Sequence, residues 1–157
     1  NISNYMYIDK DLYVKILDSV QIATVDIVIL NKKKDKVLLF KRSNDPLKGV
    51  YYTPGGRINK NEPINNAVVR KMKEELDLDL NLNNLKYLGI IEEFFEKSSF
   101  ENIKVHCINV VYSYILEDDI KINLDQQHEN YNWFDVKDQK LHFYVRQKIN
   151  LINSLTS

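Results

Sequence analysis

A Pro-Gly-Gly turn running straight into a charged helix, TPGGRINKNEPINNAVVRKMKEELDLD (residues 53–79), constrains this chain more than any other stretch. At about 100° per residue, Ile64, Val68, Met72 and Leu76 form one apolar stripe, as a helix laid on a core requires. Glu75 projects between Ile64 and Val68 at the edge of that stripe, and Arg70 and Glu74 lie on its flank. A carboxylate beside an apolar stripe is costly unless something cationic meets it. The pattern therefore points to a metal site.

The rest of the chain suits one globular domain over residues 1–157, with the first eight residues read as an arm or tag remnant. Of its 157 residues, 44% are apolar and 28% charged, enough for a sizeable core. Twenty-two basic residues balance twenty-two acidic ones, so no polyanion-binding surface is expected and nucleic acid is not expected as a partner. A single cysteine, Cys107, excludes an intrachain disulfide and a Cys-based zinc cluster. The longest apolar run, IATVDIVIL (22–30), is too short to span a bilayer and contains Asp26. With no apolar leader before it, a cytoplasmic protein without a membrane partner is expected.

DKDLYVKILDSV (9–20) reads as a short amphipathic helix with Asp9 or Asp11 near its cap. QIATVDIVIL and KVLLFKR read as strands joined by a charged turn, and GVYYTPGG as a brief strand broken by Pro54 and two glycines. The central helix should run from about Glu62 to Asp77. KYLGIIEEFFE, IKVHCINVVYSYIL and NYNWFDV are β-rich, and DQKLHFYVRQKINLINSL (138–155) closes the chain as a helix. Strands outnumber helices, which sit at the start, middle and end. An α/β fold follows, a mixed sheet sandwiched between helices. Trp133, Phe94 and Phe95 are read as core residues, and His106 and His142 as structural. Asp26, inside an apolar strand, must face a cleft, meet a partner or shift its pKa.

By spacing, the central stretch is Gly56, five residues, Glu62, seven residues, Arg70, then Glu74 and Glu75. This resembles the Nudix box, G, five residues, E, seven residues, R-E-U-x-E-E-x-G-U, where U is a bulky aliphatic residue. Met72 and Leu78 occupy aliphatic positions. Lys71 replaces the glutamate after the arginine, and Asp77 replaces the glycine. The resemblance implies the Nudix fold, with a loop-helix-loop holding a divalent metal against a diphosphate. Magnesium, a hard cation that favours oxygen ligands and keeps several waters, would neutralise charge as a bond breaks. Asp tolerates the left-handed conformation required at a helix end better than most residues.

A narrower likeness lies in TVDIVILN, LFKRSNDPLKGVYYTPGGRINKNE, LDQQHENYNWF and HFYVR, which resemble the GDP-mannose mannosyl hydrolases. These Nudix proteins attack sugar carbon and release GDP and mannose. The resemblance implies one Mg2+ (or Mn2+) per subunit, held by the Gly55 carbonyl, Glu75 and Gln127, with Glu74 as a further candidate. It implies His128 as general base, since a histidine is neutral near pH 7. Arg42, Arg57 and Arg70 would handle or support the charged diphosphate end, and Asp26 would be an acidic active-site residue. A nucleotide sugar as small-molecule partner and a homodimer follow from the same likeness. Cys107 and Glu93 stand where a tyrosine and a histidine are usual, which bears on sugar or base preference.

Plainer readings stand beside these. Glu74 and Glu75 could be solvated charges paired with Arg70 and Lys71 at helical spacing. Arg70 could be a support orienting Glu62 and Glu75, and Arg42 a solvated strand-end charge. Two other functions compete: a Nudix pyrophosphohydrolase attacking phosphorus with Glu93 or Glu74 as base, and a non-catalytic nucleotide-sugar sensor.

Overall fold

A computed structural model describes residues 7–100, 102–117 and 131–154. The elements run α1 (Lys10–Ser19), β1 (Ile22–Leu30), β2 (Lys36–Lys41), β3 (Tyr51–Tyr52), β4 (Gly55–Arg57), α2 (Ile64–Leu76), β5 (Leu85–Phe95), β6 (Val105–Ile115), β7 (Tyr131–Asp135) and α3 (Phe143–Ser154). One seven-stranded mixed sheet has the order β3-β2-β1-β6-β5, with β7 on β2 and β4 on β1. β1 and β6 are parallel from Ile22↔Cys107 to Leu30↔Ile115, and the other pairings are antiparallel.

The alternation of β1 assigns its two faces. Val25, Ile27 and Ile29 join Ala67, Val68, Met72 and Leu76 of α2. Val28 and Leu30 join Val145 and Ile149 of α3 on the opposite side. α1 adds Leu17 to a small cluster with Ile22, Val105 and Cys107. The sheet is thus sandwiched between helices, as expected.

One edge of β1 is shared by two partners. β2 pairs with its end at Ile29↔Leu38 and Leu30↔Val37. β4 takes its beginning at Thr24↔Arg57, Val25↔Gly56 and Asp26↔Gly55. Between the two, the Ile27 N–H donates to the Pro54 carbonyl at 3.0 Å. The chain from β3 therefore crosses to β1 through Thr53 and Pro54, and a fork opens beside Asp26. A side chain at Gly55 would overlap the Val25 carbonyl and Asp26, so only glycine allows this close approach.

α2 has no side-chain bond at its Pro63 cap. Its stripe holds it in place, since each fully buried aliphatic side chain contributes about 1.5–3 kcal/mol against roughly 1 for a cap. Ile64 has the right angle for the stripe but is 41% exposed, because it opens the helix, and Ala67 completes the buried set. α3 begins at Phe143, five residues later than its sequence pattern suggests, since residues 138–142 are turns held by Asp138. Phe94 and Trp133 are corrected from core to surface, at 59% and 37% exposed. Phe94 occupies the outward phase of β5 and stacks on His106 at 4.3 Å between ring centres.

Asp77 ends α2 at φ 51°, ψ 37°, and its N–H donates to the Lys73 carbonyl at 3.0 Å. This is a left-handed cap that favours glycine. Its exposed pair with Lys73 offsets little of the backbone cost. Asp77→Gly should therefore stabilise the protein by roughly 0.5–1 kcal/mol, read as a higher urea midpoint at unchanged slope.

Candidate functional site: a forked cleft between two ion clusters

The fork opens into two cavities. The larger, about 230 Å³, is lined by Tyr13, Asp26, Arg42, Arg57, Glu93 and Cys107, among others. The second, about 210 Å³, brings Arg42 and Gly55 together with Glu75. Arg42, Tyr52, Thr53 and Gly55 border both. Two loops wall the larger cavity: Ser99 Oγ donates to the Asp45 carbonyl at 2.9 Å, and Arg42 Nε donates to the Pro46 carbonyl at 2.6 Å.

Behind the larger cavity lies a buried ion cluster. Lys148 of α3, fully buried, donates to Asp26 Oδ2 at 2.7 Å and Thr53 Oγ1 at 2.9 Å, and contacts Glu93 Oε2 at 2.9 Å. Thr53 donates to Asp26 at 2.6 Å. Glu93 also accepts from the Tyr52 hydroxyl and, at 2.7 Å, from Asn109. The Tyr52 ring centre lies 3.9 Å from the ammonium, a cation–π contact. One ammonium faces two carboxylates, and burial followed by the Asp26 charge pushes the Glu93 carboxyl above its ordinary range. The same causes, burial and then Glu93 and Asp26, push the Cys107 thiol up to about 12. Cys107 is therefore a neutral thiol and no nucleophile.

Asp26 thus both meets a partner and faces a cleft. Its partner went unseen in the sequence. The signal lies in α3: in VRQKI (145–149), Lys148 falls at helical spacing beside Val145 and Ile149, inside the buried stripe. A lysine in one apolar stripe and an aspartate in another are each costly alone and stable together.

The second cluster is built on the box helix. The Arg70 fork holds Glu62 at 2.7 and 3.0 Å, donates to the Arg57 carbonyl at 3.0 Å and reaches Glu74 at 3.1 Å. Glu62 accepts in addition from the Asn59 N–H at 3.0 Å. Arg70 is therefore a clamp closing the loop 57–62 onto α2, with Glu62 and Glu74 among its carboxylate partners. The bond from Arg70 holds the Glu62 carboxyl below its ordinary value of 4.5. Burial pushes Glu74 up, yet Lys71 and Arg70 together bring it below the ordinary value. Lys71 Nζ lies 3.1 Å from Glu74 and 3.3 Å from Glu75. At about 100° per residue, Lys71 and Glu75 share the sheet-facing sector of Ile64 and Val68, where the side-chain-free Gly-Gly arm leaves room. Arg57 extends the other way, its guanidinium 5.7 Å from the Tyr13 ring centre.

Asp26, Arg42, Gly55 and Arg57 are therefore gathered around one cleft, with Glu75 at its second mouth, and Arg70 supports them from behind. Gln127 and His128 lie outside the described residues. In kind, the carboxylates of Glu74 and Glu75 and the carbonyl oxygens of the Gly-Gly arm suit a hard divalent cation. Among the described residues no three His, Cys, Asp or Glu side chains converge on one point. Such an ion would take main-chain oxygen and water as well, as magnesium does. No helix among the described residues is long and apolar enough to cross a membrane.

A family model described as the NUDIX domain matches residues 20–154. The chain belongs to the Nudix family, whose hydrolases bind small nucleotide derivatives and generally use a divalent metal such as Mg2+. It is 31% identical over 147 residues to the low-salt glycan biosynthesis protein Agl8 of Haloferax volcanii, covering 93% of this chain and 91% of that one. Over 81 residues it is 36% identical to the ADP-ribose pyrophosphatase of Methanocaldococcus jannaschii, covering 52% and 44%. The crystal structure of a MutT NUDIX hydrolase from Burkholderia pseudomallei shares the fold, with a TM-score of 0.66, 23% identity and coverage of 85% and 99%.

Two outcomes follow from the clusters. Lys148→Met leaves two carboxylates buried without a counter-charge and should cost about 3–5 kcal/mol in urea unfolding, part of it recovered by adding Glu93→Gln. The Arg70–Glu62 clamp depresses a folded-state carboxyl pKa, so its contribution is fully present above the unfolded value and lost as pH falls through the folded one. The stability gap between the protein and Arg70→Met should accordingly narrow as pH falls from about 6 to about 3.

Proposed function

We propose that this chain, a single Nudix domain, is a magnesium-dependent hydrolase of a nucleotide sugar. The favoured substrate is GDP-mannose (or GDP-glucose), cleaved to GDP and free sugar by water attacking the anomeric carbon. The observation that carries the reading is the meeting of Gly55, Arg42 and Glu75 on one cleft, joined by Asp26 and Arg57 in the adjoining cavity. The likeness over 147 residues to a glycan biosynthesis protein supports a sugar nucleotide as the class. Glu75, the Gly55 carbonyl and Gln127 would hold the ion, with Glu74 beside them, and manganese would serve in the same oxygen set. When bound, it supplies charge neutralisation on the departing diphosphate.

The chain's own residues do the rest. Arg42 and Arg57 offer guanidinium donors to the phosphate oxygens, where charge-assisted bonds are strongest. Arg70 holds the Gly-Gly arm and loop 57–62 in place through Glu62 and the Arg57 carbonyl. Asp26, fixed by Lys148 and Thr53, sets a negative wall in the cavity that favours positive charge developing at the sugar carbon. His128 takes the proton of the attacking water. The working unit is read as a cytoplasmic homodimer.

A second reading, attack at phosphorus in a nucleoside diphosphate derivative, is favoured by the likeness to an ADP-ribose pyrophosphatase. Glu93 makes a poor base for it, since its oxygens are engaged by Tyr52, Asn109 and Lys148. Incubation with Mg2+ and GDP-mannose in oxygen-18 water separates the two. GDP and mannose with label in the sugar are expected. GMP and mannose 1-phosphate with label in a phosphate would establish the second reading. His128→Gln should lower turnover about 10²–10⁴-fold under the first reading and leave most of it under the second.

A further inference from the structure

Lys71 stands where the box resemblance calls for a third acidic side chain, and its surroundings give it a role. Its ammonium bridges Glu74 Oε2 at 3.1 Å and Glu75 Oε1 at 3.3 Å. Its side chain is only 15% exposed, so the cation is held against the protein. The reason is Gly56: a Cβ there would lie 2.9 Å from Lys71 Cε and 3.1 Å from Nζ. The missing side chain leaves the slot that the lysine tip fills. The ammonium thus rests between the backbone of the Gly-Gly arm and two carboxylates.

Local charge makes the same point. Glu62, Glu74 and Glu75 face Arg70 and Lys71, leaving a single excess negative charge. A glutamate at position 71 would leave three. Arg70 also carries the Arg57 carbonyl, so its hold on Glu62 fixes loop 57–62 as well. Among the described residues the ion pairs of Lys71 are those with Glu74 and Glu75, and an ammonium on a flexible stem moves easily between acceptors.

We infer that Lys71 is a tethered cation of the box, competing with a divalent ion for the oxygens of Glu74 and Glu75 and limiting the site to one weakly held ion. The inference rests on the reading of Glu75 as a metal ligand. With Glu75 given over to an ion, the Lys71 ammonium would lose one of its two carboxylate partners and keep Glu74.

Binding of Mn2+ alone tests this, with affinity and stoichiometry read from the electron paramagnetic resonance of the free ion. Lys71→Met and Lys71→Gln should each tighten binding roughly tenfold or more, the effect of removing one cation within about 4–6 Å. Lys71→Glu should add a second equivalent, and Lys71→Arg should stay near the parent protein. Glu75→Gln should weaken binding in every background. Thermal melts of the neutral variants confirm that both are folded, and two of them guard against one local failure. Unchanged affinity and stoichiometry in Met, Gln and Glu variants, with Glu75→Gln still weakening binding, would overturn the role of Lys71 alone. No effect of Glu75→Gln would overturn the metal reading and this inference with it.

Discussion

The ammonium of Lys148 is the contact on which the active face depends. It joins α3 to β1 through Asp26, to the crossing segment through Thr53, and to β5 through Glu93. Such a buried cluster adds little net stability over well-packed apolar residues, yet its members cannot be separated cheaply. Its effect is positional. It holds Thr53 and Asp26 in one place, and with them the start of the Gly-Gly arm that β1 carries at Asp26↔Gly55.

The cleft lies between this cluster and a second one with different chemistry. Behind Asp26 the charges are dry and satisfied by fixed neighbours, which makes their field permanent. On the box helix they are partly exposed and shared among Arg70, Lys71 and three carboxylates. A site that keeps its shape while accepting and releasing a charged ligand needs both conditions. The buried cluster supplies a preorganised field, and on the box helix the Lys71 ammonium offsets part of the carboxylate charge.

Much of this was legible in residue order. The apolar run IATVDIVIL marked a strand and marked Asp26 as a residue needing a cleft, a partner or a shifted pKa, and the apolar stripe and box spacing marked the helix and its end at Asp77. The clamp of Arg70 on Glu62 was anticipated as one reading, and Glu74 is a further partner of the same fork. What stayed hidden depends on distant pairing. Lys148 is 122 residues from Asp26, and no local period links them. Ile64 shows the limit of angular reasoning: direction around a helix says nothing about where the sheet beneath it ends. Phe94 failed as a core residue because an aromatic residue on a strand can face outward, where His106 covers it.

The forked edge of β1 has a consequence for how such a protein can diversify. The Gly-Gly arm is fixed by main-chain pairing on β1, whereas part of the wall of the larger cavity comes from loops around Asp45 and Ser99 joined by side-chain bonds. Residues in those loops can change length or chemistry without disturbing the ladder that sets the arm. The loop part of the cavity wall and the Gly-Gly arm are therefore carried on separable parts of the chain. A lineage could alter what it accepts while inheriting unaltered the apparatus that acts on it.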